Sequence, residues 1–285
     1  MILIADGGST RTGWCLADDG GVRERFETEG YHPFFVDNDY IGVSLQKNIP
    51  ESVAAVSDRV SQIFFYSTGG GYSSETDQRL IDGMAKVFSK ASILIETDLL
   101  AAARALLQRT EGFAAILGTG TNSCLYDGEK ITANIESLGF LLGDEGSGSY
   151  IGKKIIGDYI RGCMPETVKR DFFETFRLTP MDLLNKVYES STPNRYCASF
   201  AKFVGVHRSE NSYYEQTVYD AFWDFFRNIV SMYPHYRSYA FHCVGSIAYH
   251  FQDILERVVA ENGMKMGLVH KDAMQGLIDY HRVKL

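Results

Sequence analysis

The first 30 positions contain short apolar and alternating segments that are separated by turn residues, a pattern typical of strands rather than of helices. The apolar run at 1–5 predicts one strand, and 12–17 predicts a second. Residues 18–21 (D-D-G-G) form a turn signal, and the alternation over 22–28 predicts a third strand. Three strands joined by tight turns indicate a β-meander at the start of the chain.

The next hundred residues alternate between the two kinds of pattern. An apolar segment at 62–67 predicts a strand, and apolar residues at helical spacing predict a helix over 74–88. A strand at 92–96 then leads directly into a strongly helical run at 98–107. Strands that alternate with helices are typical of an α/β fold.

The opening pattern then recurs. Strands are predicted at 113–117, 122–126 and 131–135, with a glycine-rich turn after the first and Asp127-Gly128 after the second. The same order of strand, glycine-rich turn, strand, turn and strand therefore occurs twice. The repeat predicts two similarly built domains with a cleft between them.

The second half of the chain is mostly helical. A long aromatic-rich helix is predicted over 213–233, and a strand at 239–244 is followed by a helix to about 261. A last strand at 265–269 and a last helix at 272–280 complete the pattern. The aromatic stripe of the long helix is either core or an interface in a homodimer, and the usual burial of such residues favours core.

Composition and charge exclude several classes of function. Of the 285 residues, 28 are Lys or Arg and 36 are Asp or Glu, which gives a net charge of -8 without any basic run. Such a chain is not expected to bind nucleic acid, because neutralising phosphates needs clustered basic residues. It also lacks the 18-residue apolar stretch of a membrane helix. The five cysteines are scattered and form no C-x-x-C pair, and their odd number favours a reducing compartment. We therefore expect a cytoplasmic protein.

The first glycine-rich turn, Asp6-Gly7-Gly8-Ser9-Thr10, has the composition of a phosphate-binding loop. Glycines let the backbone approach a ligand closely, and successive N–H groups bind phosphate oxygens. The hydroxyls of Ser9 and Thr10 add donors, and Asp6 is a candidate ligand for Mg²⁺. The alternative is a plain hairpin turn, since D-G-G is a common turn signal.

The second turn, Gly118-Thr119-Gly120-Thr121, has the same kind of composition and opens the repeated strands. It is neither a Walker A loop nor a G-x-G-x-x-G fingerprint. Either loop alone is a weak signal. Together they predict a nucleotide that is held by both loops, one from each half of the repeat.

The ordered motifs carry a resemblance. D-G-G-S-T-R-T, L-G-T-G-T-N and V-G-S-I-A resemble the phosphate-1, phosphate-2 and adenosine motifs of the actin/Hsp70/sugar-kinase superfamily. Within it, the G-D-E-G-S segment is similar to the N-acetylglucosamine kinase and BadF/BcrA-type ATPase group. The resemblance covers essentially the whole chain. It implies two ribonuclease-H-like domains around an ATP–Mg²⁺ cleft, one formed by residues 1–110 with 272–285 and the other by 111–271.

Asp98 lies between a predicted strand and the helix that follows it. At this position an Asp, or Thr97 before it, is suited to cap the helix N-terminus. The functional interpretation is a general base, because phosphoryl transfer needs a carboxylate that orients the attacking hydroxyl and accepts its proton. The resembled kinases have an Asp in that role at the corresponding junction, which favours the general base.

The resemblance also implies residues that bind the sugar and the nucleotide base. Asn122 and Asp144 correspond to residues that hydrogen-bond sugar hydroxyls, although Asp144 and Glu145 also suit a solvated turn before a helix. At the adenosine motif, a glycine at Gly245 lets adenine approach the backbone. Ser246 and His250, one helical turn apart, are placed to face it, although His250 also suits an ordinary surface position.

Two positions depart from the pattern of the N-acetylglucosamine kinases. His32 stands in the loop after the third strand, where those enzymes carry an Asn that binds sugar hydroxyls. Leu138 stands where an aromatic residue is expected near the acetamido group, and Phe140 is a nearby substitute. The identity of the preferred sugar therefore stays open.

The leading hypothesis is an ATP-dependent kinase that phosphorylates the 6-hydroxyl of an amino sugar, with N-acetylglucosamine favoured. One alternative is a BadF/BcrA-type activator ATPase, which needs an iron–sulfur cluster held by cysteine thiolates. Another is a non-catalytic ATP-binding module. The scattered cysteines argue against the first alternative, and the presence of Asp6, Asp98, Asn122 and Asp144 argues against the second.

Overall fold

A computed structural model describes residues 1–8, 11–34 and 36–282 of the chain. It divides into two compact units. Unit 1 contains Met1–Thr110, Asp127–Lys130 and the segment that begins at Asp272, and unit 2 contains Glu111–Tyr126 and Ile131–Lys271. Ser9 and Thr10, two predicted phosphate-loop residues, lie outside the described residues.

Unit 1 is built on a mixed sheet with helices on both faces. Its elements up to residue 110 are β1 (Ile2–Gly7), β2 (Arg11–Asp18), β3 (Gly21–Glu29), α1 (Asn38–Asn48), α2 (Glu51–Ala54), β4 (Gln62–Ser67), α3 (Ser74–Ala85), β5 (Ser92–Thr97) and α4 (Asp98–Leu107). Within the described residues the strand order is β3-β2-β1-β4-β5. The first three strands form the predicted antiparallel meander, while β1, β4 and β5 run parallel.

Alternate residues of β1 face two separate core clusters. Leu3 and Ala5 pack with residues of α1 and α3, whereas Ile2 and Ile4 pack with residues of α4. A strand that is buried on both faces needs a nearly continuous apolar run, and the first five residues supply one. The central position of β1 follows from that run.

The three parallel strands of unit 1 end in one row. Gly7 at the end of β1 lies opposite Ser67 of β4, and Ser67 lies opposite Thr97 of β5. The residues that follow, Gly8, Thr68 and Asp98, therefore leave the sheet at the same edge. Ligands of open α/β sheets bind at this carboxyl edge.

Unit 2 repeats the sheet and adds a larger set of helices. Its elements are β6 (Glu111–Leu117), β7 (Thr121–Asp127), β8 (Ile131–Asn134), α5 (Gly139–Leu142), α6 (Gly148–Arg161), α7 (Glu166–Phe176), α8 (Pro180–Glu189), α9 (Pro193–His207), α10 (Ser212–Asn228), β9 (Ala240–Val244), α11 (Ser246–His250), α12 (Gln252–Glu261) and β10 (Lys265–His270). Among the described strands of this unit the order is β10-β9-β6-β7-β8. The last helix, α13 (Met274–Arg282), belongs to unit 1 and packs on α4.

The aromatic stripe of α10 is core. Tyr214, Phe222, Phe225 and Phe226 are fully buried in the main apolar cluster of unit 2. Of the two interpretations of the stripe, burial in the core is therefore confirmed for these residues.

Two predicted helices differ most from the observed ones, while those predicted over 74–88 and 272–280 differ by two or three residues at their ends. The helix predicted over 213–233 ends at Asn228, because Ile229 leaves the helical conformation and a short 3₁₀ turn follows at Val230–Met232. Adjacent β-branched residues favour such an end. The helix predicted after Gly245 is divided at Phe251, whose backbone is not helical and whose side chain is buried in the core.

Among the described helices, none combines the length and the apolar content that are needed to cross a bilayer.

A close contact between α6 and α9 makes the fold sensitive to one methyl group. A Cβ atom on Gly152 would lie 1.8 Å from the carbonyl oxygen of Cys197. We expect Gly152→Ala to lower the free energy of unfolding by about 1–3 kcal/mol, because the two helices must separate. Urea denaturation measures the change.

Gly157→Ala, on the same helix, is the matched control. There a Cβ atom would meet only the mobile end of Arg161, at 3.3 Å. The substitution is expected to be neutral or to stabilise by roughly 0.5–1 kcal/mol, since glycine weakens helices. Equal effects of the two substitutions would contradict the packing argument.

Candidate active site

Asp98 is held at the sheet edge of unit 1 by a neighbouring loop. The hydroxyl of Thr68 donates a hydrogen bond to Oδ2 of Asp98 at 2.9 Å, and the amide of Thr68 donates to the carbonyl of Gly7 at 3.0 Å. Burial raises the pKa of Asp98, and the hydrogen bond from Thr68 opposes that rise. A partly buried carboxylate with a fixed orientation is suited to accept a proton.

The cap of α4 is Thr97 rather than Asp98. The Thr97 hydroxyl accepts a hydrogen bond from the amide of Leu100 at 3.1 Å. The Asp98 side chain accepts from Thr68 and also from the backbone amide of Leu99, both of which lower its pKa. Of the two capping residues that the sequence suggested, Thr97 is the one that caps the helix. The second carboxylate oxygen of Asp98 can therefore bind a ligand.

Asp6 lies in an excess of negative charge. Its pKa is raised to about 6 by burial and then by the charges of Asp98 and Asp272, while the backbone amide of Ala273 opposes the rise. Within the described residues, no three His, Cys, Asp or Glu side chains are grouped closely enough to hold a metal ion by themselves. The donors are hard carboxylate oxygens, and Mg²⁺ commonly binds through one or two carboxylates, water and phosphate. The residues are therefore compatible with Mg²⁺ beside Asp6.

The glycine after Asp6 is required by packing. A Cβ atom on Gly7 would lie 2.8 Å from the carbonyl oxygen of Tyr66 on the neighbouring strand. Gly8, the next residue, is exposed at the sheet edge. The pair therefore brings bare backbone to the edge where Thr68 and Asp98 also lie.

His32 lies against the loop that carries Thr68. A Cβ atom on Gly69 would be 2.8 Å from Cε1 of the His32 ring, and Gly69 has a φ of +84° that favours glycine. The amide of Gly71 in the same loop donates to Asp77 at 2.7 Å. The structure thus brings His32 close to the loop that positions Asp98. His32 is therefore a further candidate residue at this edge of unit 1.

In unit 2, hydrogen bonds to α6 fix the second glycine-rich loop. The amide of Gly148 donates to the carbonyl of Gly118 at 2.8 Å, and the amide of Ser149 donates to that of Thr119 at 3.0 Å. A Cβ atom on Gly118 would have no atom within 4 Å among the described residues. This open backbone on a rigid base has the form of a phosphate-binding loop.

Asp144 is buried against that loop. Its Oδ1 accepts a hydrogen bond from the amide of Thr121 at 3.2 Å, and its Oδ2 would lie 3.0 Å from a Cβ atom on Gly120. Only 6% of the residue is exposed, so the solvated-turn interpretation of Asp144 is wrong. Burial raises its pKa, while the Thr121 amide and the charge of Lys153 oppose the rise.

Asn122 follows the loop on β7 and is partly committed to structure. Its Oδ1 accepts from the amide of Ser123 and from Nδ2 of Asn134, each at 2.9 Å. The side-chain nitrogen Nδ2 of Asn122 is therefore better placed than Oδ1 to hydrogen-bond a ligand.

The predicted adenosine motif forms one wall of a cavity. Gly245 has a φ of +128°, and a Cβ atom there would lie 2.2 Å from the carbonyl oxygen of Leu117. Ser246 and His250, both exposed on α11, line a cavity of about 500 Å³ together with Lys202. The structure therefore brings Ser246 and His250 to one concave surface.

Leu138 has a left-handed backbone with a φ of 59° and is 62% exposed. A leucine in this conformation is unusual, because a β-carbon is strained there.

Sequence reasoning missed two residues of the candidate site, Thr68 and Asp272. The glycine-rich segment at 68–71 was recognisable as a strand-to-helix loop, but its contact with a residue 30 positions away was not. Asp272 lies before the last helix and acts on Asp6 from far along the chain.

No protein-family model and no curated protein matches the chain. Solved structures do. The "Putative N-acetylglucosamine Kinase" from Chromobacterium violaceum superposes with a TM-score of 0.73 at 14% identity, over 98% of each chain. A ROK family glucokinase from Streptomyces griseus, solved with glucose and AMPPNP, gives 0.55 at 12% identity, over 99% of this chain and 98% of that one. The fold is that of the two-domain, actin-like sugar kinases.

A third structure establishes the family. The "Putative N-acetylglucosamine Kinase" from Porphyromonas gingivalis is 36% identical and superposes with a TM-score of 0.92, over 99% of each chain. The protein belongs to the same family, that of ATP-dependent sugar kinases with this fold.

The raised pKa of Asp6 makes stability depend on pH in a predictable direction. The folded protein binds this proton more tightly than the unfolded chain, in which the pKa is near 3.8. Stability from this group is therefore lost as pH rises from about 4 to about 6. We expect Asp6→Asn to be more stable than wild type at pH 7 in metal-free buffer, by up to about 3 kcal/mol, with the difference vanishing near pH 4.

Urea denaturation across this pH range measures the difference. Asp18→Asn is the control of opposite sign, because hydrogen bonding from Arg23 lowers the pKa of Asp18. A constant advantage of Asp6→Asn at every pH would show that charge repulsion is not its source.

Proposed function

We propose that the protein transfers the γ-phosphoryl group of ATP to the 6-hydroxyl of an amino sugar, with N-acetylglucosamine as the favoured substrate. The observation that carries the proposal is Asp98, whose carboxylate is oriented by Thr68 while the hydroxyl of Thr97 caps the helix. The names of the relatives from P. gingivalis and C. violaceum support the choice of sugar.

Asp98 is assigned the role of general base. Phosphoryl transfer has a loose transition state, so the main task of the protein is to position the groups and to balance charge. Asp98 orients the attacking hydroxyl and accepts its proton as the bond to phosphorus forms. Its raised pKa matches that task, since a base with a pKa nearer neutrality transfers protons more effectively.

Asp6 is assigned to the metal, and backbone amides are assigned to the phosphates. When bound, ATP–Mg²⁺ supplies the phosphoryl group and the positive charge that offsets its negative charge. Asp6 would hold the ion through a carboxylate oxygen, which relieves the repulsion from Asp98 and Asp272. The backbone at Gly7-Gly8 and at 118–121 would donate to phosphate oxygens, with Ser9 and Thr10 as additional candidates.

The remaining residues are assigned to recognition. Asp144, Asn122 and His32 would bind sugar hydroxyls. The cavity beside Ser246 and His250 would receive adenine, whose flat ring needs the bare backbone at Gly245. Buried groups that hydrogen-bond hydroxyls discriminate strongly against analogues that lack them.

The alternatives are less favoured. An activator ATPase needs cysteine thiolates, and burial raises the pKa of the Cys124 thiol to about 12 and that of the Cys197 thiol to about 11. All five cysteines are free thiols. A non-catalytic module would have no need to keep an oriented carboxylate at Asp98.

The proposal is tested by sugar-dependent ADP release in a coupled assay with Mg²⁺-ATP. The panel contains N-acetylglucosamine, glucosamine, N-acetylmannosamine, glucose and N-acetylmuramic acid. We expect rapid turnover on an amino sugar and a loss of at least about a hundredfold in Asp98→Ala. Asp19→Ala, in an exposed turn of the same unit, is the control and should match wild type. ADP release that no sugar stimulates would overturn the kinase assignment.

Thr68→Val tests the positioning of the base. The substitution keeps the shape of the side chain but removes the hydrogen bond that lowers the pKa of Asp98. We expect kcat to fall by about tenfold to a hundredfold, and the acidic limb of the kcat/KM profile to move to higher pH. Thr68→Ser should restore both quantities. An unchanged pH profile in Thr68→Val would refute the role of this hydroxyl.

A further inference from the structure

Unit 2 has a second groove, which is lined by none of the residues assigned above. It is formed by α6, α8 and α9 with α5 at one end, and its volume is about 430 Å³. Pockets of that size bind small molecules. The walls are mostly apolar, with Ile156 and Ile160 on α6 and Leu184 and Tyr188 on α8. Tyr188 is 82% exposed, so this wall is open to solvent.

The charges in the groove are all of one sign. Lys153 and Arg161 line it, and no Asp or Glu does so among the described residues. Both cations belong to the stretch of α6 that forms the floor. Residues 153 and 161 are two turns apart, which separates them by about 12 Å along the helix. The floor therefore has a cation at each end and apolar side chains between them.

Lys153 is a half-buried cation whose ammonium lies over the rings of Phe140 and Tyr150, at 4.9 Å and 5.6 Å from their centroids. Burial lowers its pKa, while the charges of Asp144 and Glu145 oppose the decrease. Its ammonium donates to the carbonyls of Phe140 and Gly143, and within the described part of the chain it forms no ion pair. A desolvated cation attracts an anion more strongly than an exposed one.

From these observations we propose that the groove binds a medium-length acyl chain that ends in a carboxylate. The carboxylate pairs with Lys153, and the chain lies along Ile156 and Ile160 toward Arg161. The apolar walls provide the burial for the chain, and the absence of acidic residues from the lining selects an anion over a cation. A free medium-chain fatty acid is the simplest ligand with this chemistry.

The groove also reaches the loop that leads to Asp144. The two carbonyls that Lys153 holds, those of Phe140 and Gly143, belong to the segment directly before that residue. A ligand carboxylate competes for the same ammonium and loosens the segment. Binding of the acyl carboxylate therefore weakens binding of the sugar, and the reverse must hold to the same extent. This coupling rests on the proposed function, whereas the binding itself does not.

Isothermal titration calorimetry with decanoate, in the absence of ATP and sugar, tests the binding. We expect one site per chain, with decanol at least tenfold weaker than decanoate and acetate without measurable binding. Equal affinity for decanol and decanoate would overturn the role of Lys153. Binding of decanoate at many weak sites would overturn the proposal that the groove is a specific binding site.

Substitutions locate the site. Gly157→Leu places a side chain on the floor, where only the end of Arg161 is near, and should weaken decanoate at least tenfold. Lys153→Met should abolish the preference for decanoate over decanol. The neighbouring Lys154 pairs with Asp220 at 2.7 Å instead, so Lys154→Gln should bind as wild type does. Tyr188→Ala, at an exposed wall position, serves if Gly157→Leu fails to fold. Wild-type affinity in both wall and floor variants would refute the site.

The coupling has a separate readout. Calorimetry of N-acetylglucosamine binding with and without saturating decanoate should show a weaker sugar affinity in wild type and no change in Gly157→Leu. Unchanged sugar affinity in wild type would overturn the coupling while leaving the binding result intact. A protein that binds decanoate but phosphorylates no sugar would instead contradict the proposed function.

Discussion

The candidate active site depends on the register of three parallel strands. Because Gly7, Ser67 and Thr97 lie in one row, the chain leaves the sheet at one edge three times, and the next residues are Gly8, Thr68 and Asp98. A shift of one residue in any pairing would turn its side chains to the other face. Burial of β1 on both faces holds the register, so the apolar run at the start of the chain fixes where the carboxylates lie.

That arrangement is electrostatically unfavourable without a ligand. Burial raises the pKa values of Asp6 and Asp98, and Asp98 and Asp272 add repulsion at Asp6. Groups held in disfavoured states concentrate at functional sites, where a ligand repays the cost. A magnesium ion at Asp6 and a hydroxyl at Asp98 would each relieve part of this strain. The stability that Asp6 costs at neutral pH and its proposed role are thus two consequences of one placement.

Much of the fold could be predicted from the sequence, because periodicity and turn residues are local signals. The strand at 62–67 and the helix at 98–107 have the predicted bounds. Helix ends were harder to predict, because Ile229 and Phe251 interrupt helices for reasons of side-chain shape and packing. Asp98 was recognisable from its place at a strand-to-helix junction. Thr68 was not, because its role arises only when the strands pair.

The central claim is that Asp98 directs a phosphoryl group to a sugar hydroxyl. Phosphorus NMR of the reaction of Mg²⁺-ATP with N-acetylglucosamine tests it most directly, with wild type and Asp98→Asn compared. The account predicts a phosphomonoester signal coupled to the protons on C6 in wild type, and almost none in the variant. Inorganic phosphate that forms at the same rate with and without sugar, or equal phosphorylation by Asp98→Asn, would contradict it.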